Sequence, residues 1–519
     1  MDGGLSRRSF LRRSICGAFA VPLLVGCGRG EIKPRVNNTI VIISDTLRRD
    51  AVSCYGSSWV QSPNLARFAE KAQIFSDAYV ASFPTVPNRN DIFTGTYTFC
   101  YKAWSPIDPD VITLQETLGK NGIMTALIAD TPHPFSPGYN YQRGFHSWNL
   151  IRGQECDPWR LVPRNVTFPC SMNKLREPDT TLTQYLRNTH GHKGEEDCFV
   201  AQTMKAAARF LEETRDGRRF FLYVDTFDPH EPWDPPKEYV RLYEPEPYLG
   251  EEVIYPRYDK WRSFMTESEL SHCWALYAAE ASLVDRWIGY LLNKIQDLGL
   301  LKDTAILIAS DHGFYLGEHG YMGKSVIKDG VYQDLPLWPE VCRIPFILYV
   351  PGMPGGKAHT ALVQPPDIMP TVLDLMGIDC RQQGKGRSLV SILTGKRESV
   401  RELAFCSPTV WTRGRSEPVP SVKTTITDGR NLLIWGPGLD ESRAKAKHTT
   451  LAVDGKRRTV DVFQTTFEPE FYDLTEDPKC SRNIFSSRQR DADEMRKEFV
   501  RFLRSERVPG TFLRDFHRL

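Results

Sequence analysis

The stretch AILIASDH (Ala305–His312) decides the fold. Five apolar residues run unbroken into a serine, and an acid and an imidazole follow. Such a run, rich in β-branched side chains, reads as a strand buried on both faces, as parallel strands are. Four more segments share this texture: TIVIISD (Thr39–Asp45), MTALIAD (Met124–Asp130), FFLYVDTFDPH (Phe220–His230) and PFILYV (Pro345–Val350). Helical patterns lie between them. SPNLARFAEKA (Ser62–Ala72) opens on a serine with proline in the first turn, as helix starts do. The segments 197–217, 267–299 and 366–377 carry apolar residues at helical spacing and end at glycine. Strands alternating with helices predict an α/β fold, a doubly wound mixed or parallel sheet sandwiched by helices.

The texture changes after about residue 395. Residues 421–436 and 459–474 read as short antiparallel strands, and ADEMRKEFVRFLRSE (Ala492–Glu506) as an amphipathic helix. These predict a catalytic α/β domain over 39–395 and a smaller C-terminal α+β subdomain over 396–519. Two Pro- and aromatic-rich stretches, about 150–195 and 235–265, show no period and read as insertion loops, which often shape substrate pockets.

The 519 residues are 41% hydrophobic and 25% charged, with a net charge of +2. This is globular composition, and the near-zero balance argues against a nucleic-acid binder or a polybasic membrane-surface protein. The N-terminus stands apart. SRRSFLRRS (Ser6–Ser14) precedes the apolar ICGAFAVPLLVGCG, which is too short to span a bilayer. The pattern predicts Tat export to the periplasm or cell surface. LVGC, ending at Cys27, predicts a lipobox, with residues 1–27 as leader and 28–38 as an exposed tether; the alternative is a cleaved signal without lipidation. The only expected membrane contact is that lipid anchor. Of twelve cysteines, Cys16 and Cys27 lie in the leader. The rest form no CxxC pair, which argues against a structural zinc site; a few could pair as disulfides in an oxidising compartment.

Several strands end in acids. Asp45, Asp130, Asp225 and the pair Asp311-His312 fall at carboxyl ends, the ligand-binding edge of open α/β sheets. Asp130 reads more simply as a cap for the next segment. Asp45, Asp311 and His312 converging on one edge would repel or desolvate one another without a cation between them, so they predict a divalent metal site. An imidazole ligand favours zinc or manganese, with calcium or magnesium as alternatives.

SFPTVPNRNDIFTG (Ser82–Gly95) adds the reacting group. Pro87 and Gly95 bracket a helix starting at or just after Thr85. A hydroxyl there feels the positive end of the helix dipole, and a nearby metal could complete its activation. Thr85 is thus a candidate nucleophile, with helix cap as the bland alternative. Arg89, one turn on, could pair bidentately with an oxyanion.

Together these segments resemble the sulfatase family of the alkaline phosphatase superfamily, from about residue 36 to 485. NNTIVIISDTLRRDAVSCYG is similar to the family's first strand with its metal-binding Asp, and SPNLARFAEKAQIFSDAYVAS to the following helix and strand. TVPNRNDIFTG falls on the signature that carries the nucleophile. NYQRGFHSW, HEPW (His230–Trp233), ASDHGFYLGEHGYMGK, RIPFILYVPG, PPDIMPTVLDLMGI and EFYDLTEDPKCSRNI resemble later landmarks in order. The resemblance implies that Asp45, Asp311 and His312 ligate metal, that Thr85 holds the nucleophile position, that Arg89 holds its surroundings and the charged ester, and that His230 and Lys324 bind the transferred group's oxygens. The bland alternatives are a packed loop histidine and a solvated lysine.

Three departures stand out. Thr85 occupies the position of the Cys or Ser that becomes formylglycine, and threonine cannot yield that aldehyde. Thr46 replaces a second metal-binding Asp. DTPHPF (Asp130–Phe135) stands where a Lys-Trp-His motif is expected, and only His133 could substitute for its histidine. Taken with these departures, the resemblance implies a metal-dependent hydrolase of sulfate or phosphate/phosphonate esters acting on a small anionic ester or a sulfated or phosphorylated glycan. A second metal held by Asp228, His230 or His319 would favour phosphate; as loop anchors they would not. A non-catalytic anionic-glycan binder and a phospho-group transferase are the alternatives.

Overall fold

The computed structural model describes residues 34–214, 217–328, 331–379, 384–413, 423–436, 448–453, 456–461, 468–513 and 516. The segments expected to be a leader and a lipobox lie outside the described residues, as does most of the expected tether. The last tether residues belong to the fold instead. Val36 is buried and donates its N–H to the Leu375 carbonyl, and Asn37 and Asn38 donate to that of Asp303.

The long apolar runs form the centre of an eight-stranded sheet. Its strands are β1 (Asn38–Ser44), β2 (Gln73–Phe75), β3 (Met124–Ala129), β4 (Ser147–Leu150), β5 (Phe220–Thr226), β6 (Thr304–Ser310), β7 (Phe346–Tyr349) and β8 (Lys357–His359), in the spatial order β8-β2-β7-β6-β1-β5-β3-β4. The five strands from β6 to β4 are parallel. β7 corrects the expectation of a parallel strand: it runs antiparallel to both β6 and β2. A uniformly apolar run carries no directional signal, so its orientation depends on the connection that delivers it.

Alternate side chains feed two cores. Ile40, Ile42, Leu222, Val224, Ile306 and Ile308 pack with helices α4 (Phe199–Glu213) and α5 (Glu267–Asp297), whereas Val41, Ile43, Phe221, Tyr223 and Leu307 pack with α2 (Thr85–Thr94), α3 (Leu114–Lys120) and α6 (Ile368–Leu375). Helix α1 (Pro63–Ala69) has Ser62 at its N-cap position, but that hydroxyl meets the backbone of Ser53 rather than capping the helix. Among the described residues no helix is long and apolar enough to cross a membrane.

The C-terminal region is a smaller antiparallel sheet of β9 (Ala404–Cys406), β10 (Thr424–Thr427), β11 (Asn431–Trp435) and β12 (Glu470–Asp473), covered by helix α7 (Gln489–Ser505). It is tied to the main body just before α2. Ser407 donates to the Ala81 carbonyl at 2.9 Å and Phe83 donates to the Ser407 carbonyl at 3.1 Å. Asp91 locks the same segment from the helix side, accepting from the Ser82 N–H and hydroxyl and from the Thr98 N–H. The loop that aims Thr85 is therefore held from both sides. All nine described cysteines are free.

Candidate active site

Strand register places the acids. Ser44 pairs with Ser310 and with Thr226, so Asp45 and Asp311, each one residue further, emerge side by side at the carboxyl edge. Asp45, Asp311 and His312 are fully buried, and each offers a ligand atom within 4.8 Å of the others. His312 donates from Nδ1 to the Gly313 carbonyl at 3.0 Å, which leaves the Nε2 lone pair facing Asp311 at 3.4 Å and Asp45 at 3.9 Å.

Thr85 is the first residue of α2, after Pro84, and its side chain caps nothing. Its hydroxyl instead lies 3.4 Å from His312 Nε2. The cap alternative thereby loses its physical basis, because the hydroxyl points at the acid cluster rather than back at the helix N–H groups.

Arg89 differs from expectation. Its bidentate partner is a carboxylate, not an oxyanion of substrate: Nε and Nη2 reach Asp225 at 3.1 and 2.8 Å. Nη2 lies 3.1 Å from Asp45 and Nη1 pairs with Asp311. Fully buried, it is the counter-charge of three acids. Asp225 was visible in the sequence as a strand-end acid, but this pairing was not.

Lys324 joins this cluster to a second imidazole. Its ammonium is 2.9 Å from His230 Nε2 and 3.3 Å from His312 Nε2. His230 repeats the arrangement of His312, with Nδ1 donating to the Glu231 carbonyl at 2.7 Å. Lys324 is buried rather than solvated. The local fields follow. Burial, aided by Asp311, pushes the Asp45 carboxyl well above its ordinary range, although Arg89 opposes it. Burial acts the same way on Asp311, but there Arg89, His312 and Lys324 outweigh it and hold the carboxyl below its usual value. Burial, reinforced by Lys324, holds His312 down at about 3 and His230 well below its ordinary value. Both rings are therefore neutral at pH 7, with lone pairs available.

Two carboxylates and a neutral imidazole are a donor set that suits a divalent cation. Asp45 Oδ2 adds a second sign, since it is buried and accepts no well-formed hydrogen bond. Thr46, in place of a second acid, donates its hydroxyl to Asp45 Oδ1 and its N–H to Asp311 Oδ1. It orients the acids instead of adding a charge.

Other expected residues fall elsewhere. Asp130 accepts from the Thr203 and Thr226 hydroxyls and the Phe227 N–H, a structural acid. Asp228 accepts from Gln154 and the Val200 N–H, and His319 stacks on Trp338 beside Glu340. Neither joins a metal-ligand group among the described residues, whereas His230 faces Lys324.

The site opens into a cavity of about 440 Å³ lined by residues that include Thr85, Trp104, His133, Arg176, His230 and Lys324. Both insertion loops contribute: Glu155, Cys156, Glu177 and Thr181 from the first, Tyr258 from the second. Arg176 bridges Glu155 at 3.0 Å and Glu231 at 2.8 Å, and its guanidinium lies over the rings of Tyr255 and Tyr258. Nothing in the sequence pattern flagged this network, because its members are scattered through aperiodic loops.

The Sulfatase family model matches residues 37–378. The arylsulfatase of Clostridium perfringens is 26% identical over 404 residues, covering 70% of this chain and 80% of that protein. Mouse iduronate 2-sulfatase is 24% identical over 387 residues, covering 65% of this chain and 63% of its own length. Among solved structures, the phosphonate monoester hydrolase of Agrobacterium radiobacter superposes with a TM-score of 0.63 at 19% identity, covering 90% of this chain and 95% of that one. A protein solved with its substrate D-glucosamine-2-N,6-O-disulfate gives 0.61 at 19% identity, covering 93% and 98%. With the family model spanning most of the length and the solved relatives sharing the fold, this chain belongs to the sulfatase family.

Proposed function

We propose that this chain is a metal-dependent hydrolase of sulfate or phosphate/phosphonate esters in which Thr85 is the nucleophile. The observation that carries the proposal is the aim of the Thr85 hydroxyl at His312 Nε2, 3.4 Å away inside the acid cluster. Asp45, Asp311 and His312 would hold the cation, with zinc or manganese favoured by the imidazole donor. Bound there, the cation would supply Lewis-acid stabilisation of charge on an ester oxygen. The chain's own groups do the rest. Thr85 Oγ attacks sulfur or phosphorus in line and displaces the ester oxygen on the opposite side, while its own proton passes to water in the cavity, because the His312 Nε2 lone pair is given to the cation. Lys324 lies on the cavity side, where its ammonium stabilises the developing oxyanion, and His230, whose Nδ1–H is held by the Glu231 carbonyl, positions that ammonium through Nε2. Arg89 keeps the three acids compensated and so fixes their positions.

Attack by an alcohol leaves a sulfo- or phospho-threonine that water must then cleave. That second step favours a phosphorus centre, whereas the sulfatase relatives favour sulfate. The cavity has the volume for a sugar-sized leaving group, which supports a sulfated or phosphorylated glycan or a small anionic ester as substrate. The N-terminal sequence supports Tat export and lipid anchoring at Cys27.

The test is a panel of aryl sulfate, phosphate monoester, phosphate diester and phosphonate, with divalent metal supplied. Turnover on one class and a kcat loss of at least about 10³-fold in Thr85→Ala are expected. Unchanged turnover in Thr85→Ala would remove the nucleophile assignment. No turnover by the wild type would favour an anionic-glycan-binding role.

A further inference from the structure

A second group of metal-type ligands lines the cavity away from the acid cluster. His133, Glu155 and Cys156 each offer a ligand atom within 4.8 Å of the others. Glu155 is divided between two tasks. Its Oε1 accepts from Arg176 at 3.0 Å and from the Tyr255 hydroxyl at 2.8 Å, while its Oε2 faces His133 Nε2 at 3.0 Å. One oxygen is thus anchored and the other is presented with an imidazole nitrogen. Cys156 follows directly and is exposed on the cavity wall. Glu155 is buried with a backbone φ of 44°, a left-handed conformation that costs a non-glycine residue energy and tends to persist at functional sites. His133 is held in place by ring contacts with Trp104 and Phe227.

We propose that His133, Glu155 and Cys156 form a second, zinc-type metal site on the wall of the cavity. One nitrogen, one carboxylate oxygen and one sulfur are the mixed donor set that zinc accepts. Zinc bonds of about 2.1–2.3 Å put tetrahedral ligand atoms roughly 3.4–3.7 Å apart, so the His133–Glu155 pair, at 3.0 Å, opens slightly and the Cys156 sulfur, within 4.8 Å of both, closes by up to about an ångström. On binding, the proton on His133 Nε2 that now faces Glu155 Oε2 moves through water to Nδ1, freeing the Nε2 lone pair, and the Cys156 thiol releases its proton to water; no oxidation or reduction is involved. Three protein ligands leave a fourth position open to the cavity, the pattern of sites that engage water or a substrate atom. Thr85 and Lys324 line the same cavity, so the site would act on the leaving-group side of the ester.

The test uses the full chain loaded with zinc and, separately, with cobalt(II). Metal content is measured for wild type, Cys156→Ser and Asp311→Asn. The proposal expects a cobalt–thiolate absorption band in wild type and Asp311→Asn that is lost in Cys156→Ser, with Cys156→Ser binding one zinc fewer than wild type. Thermal melting of the metal-free proteins shows whether Cys156→Ser folds, and His133→Gln, which should also lose one zinc, is the second variant. A wild type without the band, or zinc content unchanged in both variants, overturns it. The acid-cluster site is read independently, because its loss appears in Asp311→Asn and leaves the thiolate band in place.

Discussion

Two buried arginines organise this molecule, and they do it differently. Arg89 lies at the strand edge among Asp45, Asp225 and Asp311, with His312 beside it. Arg176 lies in the cavity wall between Glu155 and Glu231, sandwiched by tyrosines, with His133 on the far oxygen of Glu155. Lys324 stands between the two regions, touching His312 from one and His230 from the other. The first cluster sets three acids against Arg89, and at Asp45 burial, with Asp311 adding to it, pushes the carboxyl up despite that arginine. In the second, the acids divide. Burial pushes Glu231 up despite Arg176, whereas burial at Glu155 is overcome by His133 and Arg176, which hold it well below its usual range. The first cluster offers two carboxylates and an imidazole to a cation, whereas the second offers a single carboxylate oxygen, beside His133 and Cys156.

Removing each arginine breaks the comparison most sharply. Arg89→Ala strands three buried carboxylates and is expected to cost about 3–5 kcal/mol of stability, the range for breaking a buried ion pair. Arg176→Ala strands two, but Glu155 keeps the Tyr255 hydroxyl and His133, so a smaller loss is expected, with KM rising because the cavity wall moves. Denaturant unfolding of both variants checks the order, and an equal or reversed ranking would show that the two clusters are not built on different charge balances.

Lys324→Ala tests the link. A kcat loss of about 10²–10³-fold is expected, the scale for a donor aimed at a developing oxyanion. Burial is the main cause of the depressed His230 and His312 values, and Lys324 adds to it. Its removal should therefore raise both pKa values and move the acid limb of the kcat–pH profile upward. A variant with wild-type kcat and an unmoved profile would leave Lys324 outside the chemistry.

A pH-dependent effect concerns Asp130, a strand-end acid outside both clusters. Burial, with Asp228 adding to it, pushes its carboxyl up to about 8. The folded state then holds a proton that the unfolded chain releases near pH 4, so between about pH 4 and 8 stability falls as pH rises. Asp130→Asn lacks this proton. Melting temperatures should show the variant gaining on the wild type as pH climbs through that window, and a pH-independent gap would contradict the assignment.

These two clusters also separate what a sequence can disclose. AILIASDH and TIVIISD are legible because strands buried on both faces must be apolar throughout, and a polar group at their end then stands out. Parallel register brings Asp45 and Asp311 together without further information. The direction of Phe346–Tyr349 was not legible, since an apolar run reads alike either way. Arg89 was legible as a residue but not in its role, because its partners come from three strands. The Glu155–Arg176–Glu231 network joins residues from separate loops with no period, and only tertiary structure assembles it. Thr85 lies between these cases: its position was readable, while whether its hydroxyl caps the helix or faces the acid cluster depended on tertiary structure.

The claim that Thr85 forms the bond to the transferred group is tested most directly by trapping it. Wild-type protein turning over its best ester is quenched in acid, digested, and the peptide spanning Thr85 analysed by mass spectrometry. The account predicts a peptide heavier by one sulfuryl or phosphoryl group, with the modification on Thr85 and absent from Thr85→Ala. An unmodified Thr85 in protein that is turning over, together with full activity in Thr85→Ala, would contradict it.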